Sequence, residues 1–457
     1  MRTEVFVRRT RIAVPADVVF NWHARPGAFE RLAPPWERVE VVERTGGIRD
    51  GDRIVLRMKA GPFPQRWVAV HRDYVAGRQF RDVQVVGPFA LWEHTHLVTP
   101  DGSSACLLED RIEYALPMGT IGRLVGRGFV RHKLERLFDY RHRVTAQDVL
   151  AHSGERGGSA MHVLVTGATG LLGSALIPFL TTGGHRVTRL GRSQTGEGAV
   201  RWDPEAGVLN GTDLEGLEAV VHLAGENIAG RRWTAEQKAR IRDSRVKGTR
   251  LLCETLAGLD RPPGTLVCAS AIGYYGDRGE EVLREESAPG EGLLPEVCQA
   301  WEGAAAPARQ KGIRVVNLRF GVVLSPKGGA LAKMLFPFRM GVGGVIGSGR
   351  QYMSWIALDD VVGVIHHALG TGALRGPANA VTPHPVTNRA FTKTLGRVLR
   401  RPTIFPMPAF AARLAFGEVA DALLLASTRV APGRLLETGY VFRYPELEGA
   451  LRRLLGK

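Results

Sequence analysis

The rhythm of apolar positions changes once along the chain. In the first part, RVEVVER, DRIVLRMKA, RWVAVHRDY and RQFRDVQVV alternate apolar with polar residues. Successive side chains of a strand point to opposite faces, so this period of two predicts half-buried antiparallel strands. An extended segment, Val5 to Val14, precedes them. ADVVFNWHA (16–24) then follows Pro15 as a short helix, proline being well suited to a helix start. WEHTHLVTP and SACLLEDRIEYAL flank Asp101–Gly102, a hairpin turn signal. A long helical stretch, about 119–149, closes this part. From Met161 the apolar residues form short continuous runs instead: MHVLVTG, HRVTRLGR, AVVHLAG, GTLVCASA and IRVVNLRFGVVL. Val/Leu-rich runs separated by helical stretches predict buried parallel strands in a doubly wound α/β sheet. From about 376, TPHPVTN, FTKTLGRVLR and the Pro-rich RPTIFPMPAF predict a small, mainly helical subdomain.

Between the two rhythms, HSGERGGSA (152–160) is small, polar and Gly/Ser-rich, as flexible linkers are. The expected organisation is a ligand-binding α+β domain at 1–150, a linker at 151–160, a Rossmann-type dinucleotide-binding domain at 161–375 and a cap or substrate subdomain at 376–457. The 457 residues are 44% hydrophobic and 23% charged, ordinary for globular domains and unlike a disordered or collagenous chain. No run approaches the roughly 20 apolar residues of a membrane span. The net charge of +16 is spread as Arg among Asp and Glu, with no basic block, so no nucleic-acid partner is expected. That charge helps draw in an anionic cofactor. MRTEVFVRRT is followed by no apolar signal core, and four scattered cysteines form no disulfide framework. A cytoplasmic setting is the expectation. With no C-x-x-C pair and no His at zinc-ligand spacing, no metal site is expected. Trp92, His94 and His96 share one strand face by period two. They either line a pocket or face solvent.

The most specific motif is Thr166-Gly167-Ala168-Thr169-Gly170-Leu171-Leu172-Gly173, between a strand (163–165) and a helix (171–182). That context makes it a dinucleotide fingerprint. Gly167 allows the tight turn, Gly170 the approach of a pyrophosphate, and Gly173 close helix–strand packing. The helix N-terminus offers free N–H groups to phosphate. The second strand ends Leu190-Gly191-Arg192-Ser193, without the acid that would bind a ribose 2′-hydroxyl. Arg192 and Ser193 instead suit a 2′-phosphate, so NADP is the expected cofactor. Leu223, Ala224 and Gly225 end a further strand where small residues admit the adenosine side.

The front pattern of strand, short helices, meander and long last helix resembles the START-like, polyketide-cyclase-type helix-grip fold, which implies a cavity for a hydrophobic ligand. TGATGLLG, HLAGENIAGRRW (222–233), SRVKGT (244–249), SAIGYYGDRG (270–279), EVCQAWE (296–302) and GSGRQYMSWIALDD (347–360) together resemble the extended short-chain dehydrogenase/reductases, in an atypical epimerase-like branch. The resemblance covers about 161–455. It implies a proton-relaying Tyr four residues before a Lys, with a Ser orienting the substrate. Ser270 fills the Ser position. The expected helix holds Cys298 and Glu302 at that spacing, with neither Tyr nor Lys. Tyr274 or Tyr275 then becomes the candidate acid, Glu302 the candidate base, and Arg245, at a family Asn position, a candidate cation beside the cofactor. Alternatively, the fold binds NADP and does little chemistry. Glu226 and Asn227 follow HLAG in a candidate substrate loop. The slot where sugar-nucleotide relatives carry a diphosphate-clamping Arg holds Met353. A thioether does not pair with phosphate, so Met353 and Trp355 point to an apolar or carbonyl-bearing small molecule.

Overall fold

A computed structural model describes residues 3–60, 63–153, 159–193 and 198–457. Two compact units result, one centred on Met1–Ala160, the other on Met161–Ile177 and Arg186–Leu455.

The first unit runs β1 (Glu4–Ile12), α1 (Ala16–Ala24), α2 (Ala28–Leu32), β2 (Val39–Thr45), β3 (Arg53–Ala60), β4 (Phe63–Val75), β5 (Gln79–Val86), β6 (Leu91–Pro100), β7 (Cys106–Ala115) and α3 (Gly119–Ser153). Its sheet has the order β1-β7-β6-β5-β4-β3-β2 and is antiparallel throughout. The β6–β7 turn closes as its sequence predicts: Gly102 takes φ +77°, and the Asp101 N–H donates to the Ala105 carbonyl at 2.9 Å. Alternation along β6 buries Trp92, His94, His96 and Val98 on one face. The helix α3 contributes Phe138, fully buried among Phe6, Trp92, Ile112 and Tyr114. Each such side chain stabilises by about 1.5–3 kcal/mol on burial. Residues 154–158 of the expected linker lie outside the described residues.

The second unit is a Rossmann-like sheet. Its strands are β8 (His162–Thr166), β9 (Arg186–Gly191), β10 (Ala199–Asp203), β11 (Val208–Leu209), β12 (Ala219–His222), β13 (Thr265–Ala271), the short β14 (Val282–Leu283), β15 (Arg314–Phe320), β16 (Val322–Leu324), β17 (Tyr352–Met353), β18 (Trp355–Ala357) and β19 (Gly376–Ala380). Helices α4 (Gly173–Thr182), α5 (Ala235–Ala257), α6 (Leu293–Gly303), α7 (Ala306–Gln310), α8 (Gly329–Arg339) and α9 (Leu358–Gly370) intervene. The order β11-β10-β9-β8-β12-β13-β15-β19 reverses direction at β8. Seven strands are parallel, and only β11 runs against its neighbour. In such sheets a crevice opens beyond the carboxyl ends of the strands at the reversal.

One boundary differs from expectation. Gly376–Ala380, read as the start of the helical tail, is the edge strand of this sheet, paired with β15. Its small residues GPANA carry no Val/Ile signal, so pattern alone missed it. The tail proper contains β20 (Val386–Thr387), α10 (Asn388–Leu399), α11 (Ala409–Phe416), β21 (Arg429–Val430), α12 (Gly433–Glu437) and α13 (Leu447–Leu455). It is tied back by β14–β21 and β17–β20 pairing.

Candidate functional site

The glycine turn has the geometry its spacing predicts. Gly167 sits at φ +65°, where a side chain is strained, and a Cβ there would lie 2.9 Å from the Leu223 carbonyl group. A Cβ on Gly173 would meet the Gly167 oxygen at 2.3 Å and the Ala168 Cα at 2.7 Å. Thr169 and Gly170 are exposed, Leu171 and Leu172 half-buried, and Ala168 buried. The helix begins at Gly173, two residues later than expected, which leaves 167–172 as a turn before it.

A buried polar relay holds the HLAG segment against this turn. The Thr166 hydroxyl oxygen accepts the backbone N–H groups of Leu223 (2.9 Å) and Ala224 (3.1 Å) and lies 2.8 Å from His222 Nδ1. With both its lone pairs taken, the hydroxyl donates its own proton to Nδ1. The ring proton is therefore on Nε2, which faces the Thr249 hydroxyl at 3.0 Å. Thr249 also accepts the Trp301 indole N–H at 2.9 Å. Burial lowers the His222 pKa from 6.5 to about 4, so the ring is neutral at physiological pH. The sequence reading missed Thr249 and Trp301, since their partners lie far away in the chain.

Arg245 lies beside the same segment. Its guanidinium donates to the carbonyls of Glu226 and Ile241, both at 3.0 Å, and sits 5.0 Å from the centre of the Trp301 ring. Burial pulls its pKa down. Asn227 is exposed and caps its own loop through the Ala229 N–H (3.0 Å). Glu226 is half-buried and 3.5 Å from the Gln237 amide. Arg192 and Ser193 are exposed just past β9.

The candidate catalytic residues meet around a residue the sequence reading did not single out. Ser270, Arg319 and Asn379 stand side by side on β13, β15 and β19. Arg319 Nε and Nη2 donate to the two oxygens of Glu302 at 2.8 and 2.9 Å. Its Nη1 donates to the Tyr275 hydroxyl (2.9 Å) and the Glu285 carbonyl (3.2 Å). Its guanidinium stacks 3.5 Å from the centre of the Tyr274 ring. Ser270 donates to Glu302 at 2.7 Å.

The cation next to the tyrosines is Arg319, and Arg245 lies instead beside the HLAG segment. Tyr275 is fully buried, donates to Asn379 at 2.7 Å, and burial lifts its pKa to about 12, so its phenol is held by protein partners. Glu302 has both oxygens tied to Arg319, which makes it an ion-pair partner rather than a free base. Tyr274 is half-buried, and its hydroxyl makes no hydrogen bond among the described residues. The Cys298 thiol is buried and pushed up to about 12. The substrate-side expectation also shifts. Trp355 is wholly buried in a core with Leu331, Leu335, Phe391 and Leu451, and donates to the His384 carbonyl at 3.2 Å, so it cannot touch a substrate. Met353 is half-buried, with its sulfur 3.6 Å from the Asn388 amide.

A sheet reversing at a glycine turn, followed by HLAG and a strand-end serine, defines an epimerase-like dinucleotide fold. The model of the NAD dependent epimerase/dehydratase family matches residues 163–379. That of polyketide cyclase / dehydrase and lipid transport matches 12–138, and a domain of unknown function, DUF1731, matches 407–454. The chain belongs to the epimerase family. It is 43% identical over 290 residues to the epimerase family protein Mb2239 of Mycobacterium bovis, which spans 63% of this chain and 96% of that relative. The nucleoside-diphosphate sugar epimerase of Corynebacterium glutamicum has a similar crystal structure, with 33% identity over 99% of this chain and 90% of that one and a TM-score of 0.81. Human epimerase family protein SDR39U1 (isoform 2), solved with NADPH, is 36% identical over 65% of this chain and 99% of its own, with a TM-score of 0.60.

Proposed function

We propose that the second unit binds NADP and works as an NADP-dependent oxidoreductase or epimerase-like enzyme on a small apolar or carbonyl-bearing molecule, while the front unit holds a hydrophobic ligand. The observation that carries this reading is Arg192, exposed at the end of β9 with no ion pair among the described residues, next to a turn that a Cβ at Gly167 or Gly173 would disrupt. The NADPH in the human relative's structure supports it.

Arg192 and Ser193 would hold the 2′-phosphate, and the turn 167–172 with the start of α4 would hold the pyrophosphate. Leu223, Ala224 and Gly225, fixed by the Thr166 relay, would flank the adenosine side. Bound NADP supplies hydride donation or acceptance at its nicotinamide. Tyr274 would exchange a proton with a substrate oxygen, a reading supported by the commitment of Ser270, Tyr275 and Glu302 to protein partners. Arg319 orients the Tyr274 ring by stacking. Met353 would add an apolar contact for substrate, and Glu226 and Asn227 a polar rim.

Calorimetry with NADPH and NADH on the whole chain tests the cofactor. Arg192→Ala should weaken NADPH at least about tenfold, as loss of a charge-assisted hydrogen bond implies, and leave NADH within twofold. Equal weakening of both rejects the role. NADPH oxidation over a panel of carbonyl compounds tests the chemistry. Tyr274→Phe should abolish turnover and spare cofactor binding. Tight NADPH binding with no turnover in the parent chain would favour a cofactor sensor, the reading that the buried Tyr275 and the Tyr- and Lys-free α6 also favour.

A further inference from the structure

The inner face of the first unit's sheet carries a cluster of ionisable groups that the cofactor site does not use. Asp82 on β5 stands opposite His94 on β6, and His96 stands opposite Asp110 on β7. His94, His96 and Asp110 are buried, and the Asp82 side chain is 18% exposed. His71 on β4 faces Asp82 across the strands, His142 from α3 reaches Asp110 at 2.7 Å, and the His23 ring lies 5.9 Å from that of His96. Carboxylates are seldom buried unless paired or coordinating a metal.

Three of these side chains are also close enough together to share one ion. The ligand atoms of Asp82, His94 and His96 lie within 4.8 Å of one another. His94 Nδ1 is 3.1 Å and His96 Nε2 3.4 Å from the same Asp82 oxygen, Oδ1. The longer gap is poor for a hydrogen bond. Ligands bound at about 2.0–2.2 Å to a tetrahedral ion are spaced at roughly 3.3–3.6 Å, which matches the longer gap and is a little wider than the shorter one. On the far side of the two rings, Asp110 Oδ1 lies 2.8 Å from His94 Nε2 and 2.6 Å from His96 Nδ1. A carboxylate behind a ligating imidazole is the usual way such rings are aimed. His96 Nδ1 is buried, and its 2.6 Å contact with Asp110 Oδ1 is close but not aligned as a hydrogen bond.

We propose that Asp82, His94 Nδ1 and His96 Nε2 bind a divalent transition-metal ion, with Zn²⁺ as the best match to two imidazoles and one carboxylate. Asp110 orients both histidines, and His142 holds its second oxygen. Three protein ligands leave one position for water or an oxygen-bearing ligand. The site is independent of NADP binding and survives if that reading fails.

The whole chain, stripped with chelator, is titrated with Zn²⁺ by calorimetry, and its bound metal is counted by mass spectrometry. One equivalent should bind, and Asp82→Asn, an isosteric change at the least buried ligand, should weaken it by at least about 100-fold. Circular dichroism checks that the variant folds. Should it not fold, zinc-edge X-ray absorption on the parent chain decides: a nitrogen/oxygen shell with imidazole scattering supports the site. No zinc uptake, unchanged affinity in a folded Asp82→Asn, or sulfur in the shell overturns the proposal.

Discussion

The Arg319–Glu302 pair offers the most quantitative check on the site. Its side chains are 3% and 14% exposed, and two hydrogen bonds of 2.8 and 2.9 Å join them. Glu302→Leu removes the carboxylate and leaves a buried guanidinium with the Tyr275 hydroxyl, the Glu285 carbonyl and the face of Tyr274 as its neighbours but no counter-charge in contact among the described residues. Breaking a buried pair from one side costs about 3–5 kcal/mol, because the remaining charge is uncompensated. Ser270 also loses its acceptor, which costs about 1 kcal/mol more. At about 2 °C per kcal/mol for a large domain, the melting temperature of the second unit should fall by at least about 6 °C. Urea unfolding of Glu302→Leu, Arg319→Met and the double variant, followed by tryptophan fluorescence and activity, completes a cycle. The double variant should be more stable than the sum of the single losses by about 2–3 kcal/mol. If Glu302→Leu unfolds within 1 kcal/mol of the parent while turnover vanishes, Glu302 is a base after all and the ion-pair account is wrong.

Two further outcomes follow from the cofactor turn and the relay beneath it. Gly173→Ala places a Cβ 2.3 Å from the Gly167 oxygen, so the turn must open. NADPH affinity should fall at least about tenfold with the fold retained by circular dichroism, and an unchanged affinity would show that the close packing is irrelevant to the site. His222 takes up its second ring proton only below about pH 4 when folded, against 6.5 when unfolded. Between these values the unfolded chain binds the extra proton, so stability is lost as pH falls from 6.5 to 4, by about 3 kcal/mol. His222→Gln should lack this loss. Asp360, which burial raises to about 6, acts in the opposite sense in both proteins and cancels in their difference. A stability difference between parent and variant that stays constant across the window would refute the neutral buried ring.

How much of this was legible depends on the distance over which each feature is determined. The turn 167–173, the helix after Pro15 and the hairpin at Gly102 are set by residues adjacent in the chain, and their spacing reveals them. The cluster around Arg319 is set by register. Ser270, Arg319 and Asn379 become neighbours only because β13, β15 and β19 lie side by side, and no spacing in a single sequence states that order. Trp355 looked available because its neighbours in the chain are mixed, whereas its cover comes from Phe391 and Leu451 of the tail. The shared face of His94 and His96 is legible from the period of two, but their carboxylate partners Asp82 and Asp110 come from neighbouring strands by register. On a strand, i and i+2 are the positions that converge. For the Arg319 cluster one signal was present. IRVVNLRF carries an arginine within a run that must be buried on both sides, and a buried charge requires an opposite charge within reach. In a doubly wound sheet, then, a charged residue inside a Val-rich strand is stronger evidence of a site than an aromatic in a polar loop. The arginine demands partners wherever the topology brings them, whereas the tryptophan is satisfied by any apolar cover.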